Sequence, residues 1–271
     1  MMPHPLSLPG VAARPRRASL ALSAGSAALA ILALAPLALD NPFLLATGAL
    51  ILLNVIGAVS LHLIIRTGHI SLAHAGFMGV GAYACALSVL RFDLPPAIGL
   101  AIGAAAAGAL ALLVGPVLLR LTGKYFVLVT FLLGEIIRLV LVEWQSVTGG
   151  ASGLSNLPPL NAAWTSPLAQ YYVALAAAAL TVLLCVRLLL SETGRAIDAV
   201  REAPQLTECT GVRGLPLKVG VFVLGCALAG VQGGLLAFFM RYIDPSTFGM
   251  AESLNLVCLL YTSDAADDSL R

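Results

Sequence analysis

The sequence predicts an all-α, polytopic transmembrane helical bundle of about seven spans. Three observations carry the prediction. Of the 271 residues, 59% are hydrophobic and only 10% charged, too much apolar side chain for one soluble core. The apolar residues fall in runs of about 20, the length that crosses a hydrocarbon core of about 30 Å. Lys and Arg gather in alternate connections between those runs, as they do when membrane topology is set.

Residues 1–17 read as a cytoplasmic N-terminal tail, with Arg14, Arg16 and Arg17 ahead of the first apolar run. That run, at about 19–39, could pass for a secretory leader. It is about 20 residues long and lacks a convincing small-residue cleavage site before Asp40, so it is read as a first span. Further spans are expected at about 42–65, 70–90, 96–119, 125–142, 168–190 and 217–240. The third is short and Gly-rich enough to be a broken or re-entrant piece. Residues 18–256 thus make one membrane domain, and 257–271, with "CLLYTSDAADDSLR" around them, an atypical polar tail.

Counting cations orients the bundle. One side holds Arg14, Arg16, Arg17, Arg66, Arg120, Lys124, Arg187, Arg195, Arg201, Arg213 and Lys218, the other only Arg91 and Arg241. The first side is therefore expected to be cytoplasmic, with the loop 193–218 on it. A net charge of +2 is too small to imply a nucleic-acid partner. Five scattered cysteines form no CxxC or Cys/His spacing and read as small core side chains rather than metal ligands.

The stretch "GRAIDAVREAPQLTECTGVRGLPLK", residues 194–218, is a polar block between two very apolar runs. It reads as two short helices with a joint. Ile197 and Val200 lie one turn apart, opposite Arg201 and Glu202. Ala203 is turned from helical geometry by the proline after it, and Pro204 can open a second helix. Gly211 suits the left-handed residue that ends one. Connections between helices are usually 2–8 residues, so a loop of this length is either a solvated connector or a docking element.

Elsewhere, "GHISLAHAGFMGVGAYACALSVL" brings Gly76, Gly79 and Gly81 close together, with Ser71 and His74 as polar groups at membrane depth. Close helix packing and the lining of a translocation pathway both fit that pattern. Glu135 and Arg138, at i and i+3 within a span, are expected to pair, because a lone intramembrane charge costs about 2.5–3.5 kcal/mol. The pair reads as structural and near a membrane interface, or as a substrate contact. Thr148, Gly149, Gly150 and Gly153 belong to a Gly/Pro/Ser/Asn-rich outer loop. His62 and His69 read as packing and loop residues.

A self-powered ATPase would need GxxxxGK[ST], and "LRLTGKYF" lacks both the first Gly and the Ser/Thr. No HExxH or GxSxG is present to suggest an intramembrane enzyme. A secondary transporter remains a rival, because broken Gly-rich helices suit it too.

Three blocks, residues 68–90, 119–159 and 193–254, resemble the permease subunits of ABC importers for branched-chain amino acids, and more narrowly their M-type permease. The resemblance covers roughly residues 45–254 in the family's order. It implies that Gly194, Arg195, Ala199, Arg201, Glu202 and Gly211 belong to a cytoplasmic coupling-helix loop seated on an ATP-binding subunit. Ala203-Pro204 and Leu206-Thr207 depart from the family's usual Asn-Glu and Ala-Ala there. Thr148, Gly149, Gly150 and Gly153 match a signature facing the periplasmic binding protein. The implied assembly adds a second, related permease and two ATP-binding subunits in a bacterial inner membrane. ATP and Mg would act in those partners, with no cofactor or metal held by this chain. The implied cargo is leucine, isoleucine or valine, with urea or short-chain amides as the alternative for this permease type. After Leu256 the family continues through a Gly-Gly-x-Gly stretch that this chain lacks, so a truncated or altered C-terminus is expected.

Overall fold

The computed structural model describes residues 41–158, 166–209, 211 and 213–269, together with Leu32 and Pro36. The tail 1–17 and, apart from those two residues, the predicted span at 19–39 lie outside the described residues. Among the described residues, six helices are long and apolar enough to cross a membrane. They are α1 (Pro42–Ile65), α2 (His74–Phe92), α3 (Pro96–Leu118), α4 (Lys124–Glu143), α5 (Pro167–Leu190) and, after two short helices, α8 (Gly214–Met240). The short ones are α6 (Glu192–Glu202) and α7 (Pro204–Cys209), and α9 (Met250–Ser269) follows α8. The chain is a multi-pass, all-α membrane protein.

The helix starts are written locally. Asn41 caps α1 by accepting from Phe43 N at 3.0 Å, with Pro42 in the first turn. Ser166 and Pro167 repeat the device at α5, where Ser166 Oγ accepts from Ala169 N at 3.3 Å. The six spans alternate in direction. Arg66, Arg120, Lys124, Arg187, Arg195, Arg201, Arg213 and Lys218 thereby collect at one end of the bundle, here called the basic end, and Arg91 and Arg241 at the other.

α8 occupies the centre, packed against α1, α2 and α3. Its contacts rely on small residues, because without a hydrophobic drive between helices in lipid, close approach supplies the attraction. At the α2–α8 crossing a Cβ on Gly81 would run into the backbone of Gly230. α1 and α5 form a second packed face around Ile56, Tyr171 and Ala174. At the end opposite the basic one, β1 (Leu154–Ser155) pairs antiparallel with β2 (Tyr242–Ile243), Leu154 opposite Ile243 and Ser155 opposite Tyr242.

One sequence expectation changes. The Gly-rich third run is one unbroken helix from His74 to Phe92. The departure from helix precedes it, at residues 66–73. Its glycines admit neighbouring helices and do not unwind their own. Residues 257–269, within the stretch read as an atypical polar tail, are helical and continuous with α9.

Candidate functional site

At the basic end, α6 and α7 form a folded polar element. Ser191 Oγ caps α6 by accepting from Gly194 N at 3.4 Å, with Glu192 in the first turn and Arg201 in the last, where each charge favours the helix dipole. A Cβ on Gly194 would overlap the carbonyl of Leu189, so only glycine lets α6 fold back on the end of α5 this closely. Ile197 and Val200 are buried while Arg195, Arg201 and Glu202 stay exposed. Ile197 joins Leu63 of α1, Cys185 of α5 and Val221 of α8 in one apolar cluster. α6 is therefore seated on three spans at once.

The joint falls where expected. Ala203 leaves the helix at φ −144°, ψ 78°, and α7 begins at Pro204. Thr207 Oγ1 lies 3.0 Å from Ala199 O and 2.8 Å from Ala203 O, carbonyls that also accept from Ala203 N and Thr207 N, so it bridges the two helices across the joint. Gly211 has φ +85° and open space around it. One contact here has no local sequence signal. Arg66 Nη1 donates to Asp198 Oδ1 at 3.0 Å, tying the end of α1 to α6 across 132 positions. Beside it, buried His69 packs edge-on to Phe126 with centroids 4.7 Å apart, and its Nδ1 lies 3.1 Å from Thr67 O. Burial, with the Lys218 charge adding to it, holds the His69 imidazole below its ordinary range.

The candidate pathway residues divide. His74 is fully buried, with Nε2 3.0 Å from Ser60 Oγ, so α2 starts about a turn and a half below the end of α1. Ser71 is buried as well. Gly79 faces Phe248 and Leu141, and Gly81 faces Gly230, so both are closed in helix contacts. Gly76 borders a cavity of about 10 Å³, shared with Gly134, Glu135, Phe248 and Ser253. Ser253 Oγ accepts from Ala75 N at 3.1 Å, which brings the start of α9 against the start of α2.

Glu135 and Arg138 pair as expected, with Arg138 Nε and Nη2 both donating to Oε1, the former at 2.9 Å. The pair stands at the twelfth and fifteenth of the 20 residues of α4.

At the other end, Thr148, Gly149, Gly150 and Gly153 shape the loop from within. Thr148 is buried and its Oγ1 lies 2.7 Å from Leu141 O and 2.8 Å from Trp144 O. The three glycines have φ between +63° and +76°. Of the four, Gly149 is exposed, and the rest of the exposed surface comes from neighbours that the motif did not single out, among them Trp144, Gln145, Ser155 and Asn156. Arg91 Nη2 donates to Ser146 O at 2.8 Å and Tyr242 OH to Ser152 O at 3.2 Å, fixing the loop to α2 and β2. No group of metal-ligating side chains occurs among the described residues.

Residues 43–259 match the family described as branched-chain amino acid transport system / permease component. The chain is 28% identical, over 264 aligned positions, to the high-affinity branched-chain amino acid transport system permease protein LivM of Escherichia coli (strain K12). Against the protein of that name in Salmonella typhimurium the figure is 26% over 264 positions. Each alignment covers 86% of this chain and 62% of the relative, so the chain spans less than two thirds of those proteins' length. No solved structure matches.

Proposed function

The chain belongs to the branched-chain amino acid transport system permease family, and from that premise we propose that it is the membrane-spanning permease subunit of an ABC importer for leucine, isoleucine and valine. The assembly would set it beside a second, related permease in the inner membrane of a bacterium, with two ATP-binding subunits on the basic, cytoplasmic side. A periplasmic binding protein would deliver cargo to the loop around Trp144 and Asn156. ATP and Mg belong to the partner subunits in this reading, and the chain contributes no catalysis of its own.

One observation carries the proposal beyond family membership. The element that would receive the ATP-binding subunits, α6–α7, presents Arg195, Arg201 and Glu202 outward and buries Ile197 among residues of α1, α5 and α8. Displacement of its polar face is delivered to three spans without a flexible intermediate. A solvated connector has no need of that seat.

The test is replacement of Glu202 by Ala and of Gly211 by Ala. Gly211→Ala also strains a left-handed residue by about 1–2 kcal/mol. Both variants are expected to insert normally, to recover less ATP-binding subunit on purification, and to lose most leucine uptake and its coupling to ATP hydrolysis. Normal coupling in both would sink the assignment of α6–α7.

A further inference from the structure

Glu135 and Arg138 are the twelfth and fifteenth of the 20 residues of α4. They therefore stand about 16 and 21 Å along a helix about 30 Å long, close to the middle of the membrane. Charged side chains at that depth keep to the bundle interior or to a water-filled path, because lipid cannot solvate them. Here neither partner is buried, with 34% of the Glu135 side chain and 27% of the Arg138 side chain exposed. Around them α4 turns Leu128, Leu132, Ile136 and Leu139 outward. Lipid suits those apolar side chains but cannot solvate the two charges set among them.

The pair also has unused capacity of both signs. Both guanidinium contacts go to the same carboxylate oxygen, Oε1. Glu135 Oε2 and Arg138 Nη1 take no part, so an acceptor and a donor stay open side by side. Glu135 further borders the cavity between α2, α4 and the start of α9, whose walls are Gly76, Gly134 and Ser253. A ligand with adjacent donor and acceptor groups complements this arrangement, and opposite charges on those groups add an ion contact at each that a neutral amide lacks.

We propose that Glu135 and Arg138 form the mid-membrane site for the zwitterionic head of an amino acid, with Glu135 accepting from the α-ammonium and Arg138 donating to the α-carboxylate, and that the outward face of α4 lines the translocation pathway. The inference rests on the permease reading above. When the site is empty each charge satisfies the other, so no lone charge is stranded between passages. When the head group enters, two ion contacts replace one and net charge is unchanged.

The complete importer in proteoliposomes supplies the test, with the double variant Glu135→Gln/Arg138→Gln. Removing both partners of a merely structural pair is close to neutral, so that role predicts unchanged assembly and unchanged uptake. The proposed role predicts unchanged assembly with leucine uptake down at least about tenfold, since each charged hydrogen bond lost is worth that much. Wild-type uptake in the double variant overturns the proposal.

Should that variant fail to assemble, Leu132→Cys and Leu139→Cys decide the matter in a chain whose five cysteines are replaced by Ser. Both are expected to react with a membrane-impermeant thiosulfonate, and to react more slowly when leucine is being transported. Leu113→Cys on α3, 76% exposed and on a span with no charged residue, is the reference. Reactivity no greater than at Leu113→Cys overturns the proposal and points to lipid or a second permease covering α4. A wild-type importer that carries no amino acid fails the permease reading itself, a result visible before any substitution is made.

Discussion

His69 shows how one side chain reports on its surroundings. It sits in the turn between α1 and α2, ringed by Thr67, Phe126 and the charge of Lys218. Because its folded value is held down, the folded turn keeps it neutral while an opened turn binds a proton below about 6.5. The opened form then holds more protons, so stability is full above about pH 6.5 and is lost as pH falls from there toward the depressed value. The hydrogen-exchange protection factors of residues 66–73, with the intrinsic pH dependence of exchange divided out, are expected to fall from pH 7.5 to 5.5, and His69→Gln to flatten that dependence. Equal pH dependence in both would rule out His69 as the cause. Sequence reasoning placed His69 in a loop and stopped there. Its partners come from α4 and α8, and no local pattern announces residues 57 and 149 positions away.

α6 is the element whose fold was most legible. Ile197 and Val200 were set opposite Arg201 and Glu202 by helical spacing alone, and a proline at 204 fixes the break whatever surrounds it. The six described spans likewise begin and end within a few residues of their apolar runs, since bilayer thickness leaves little freedom. Illegible were features made by tertiary contact. Gly76, Gly79 and Gly81 signal close approach but not whether a helix, a kink or a pathway approaches them. The salt bridge from Arg66 to Asp198 and the seat of Ile197 exist only once α1, α5 and α8 converge. That seat is open to test. Ile197→Ala should cost about 2–5 kcal/mol of local packing, so α6–α7 is expected to become protease-sensitive and uptake to fall while the spans still insert. Protease resistance equal to wild type would show that Ile197 does not hold the element in place.

At the scale of the molecule, α8 is one continuous helix of 27 residues. It starts at Gly214, where Val200 packs on it, and ends at the strand that pairs with Leu154. Between them the α2–α8 crossing sets backbone against backbone at Gly81 and Gly230, and again at Met78 and Gly233. Gly81→Val would force that crossing apart and is expected to lower the amount of assembled protein in membranes several-fold, by about 1–3 kcal/mol or more of overpacking. Undiminished yield would mean the crossing has slack. If the crossing is as tight as it looks, it acts as a fulcrum. Gly230 is about 24 Å from Gly214 and about 15 Å from Met240 along the helix. A rigid tilt of α8 about that point carries its two ends in opposite directions, like the arms of a seesaw of unequal length. The arm beside α6 is the longer, so travel there reaches the β1–β2 end reversed in sense and reduced to about two thirds, with leverage gained in proportion.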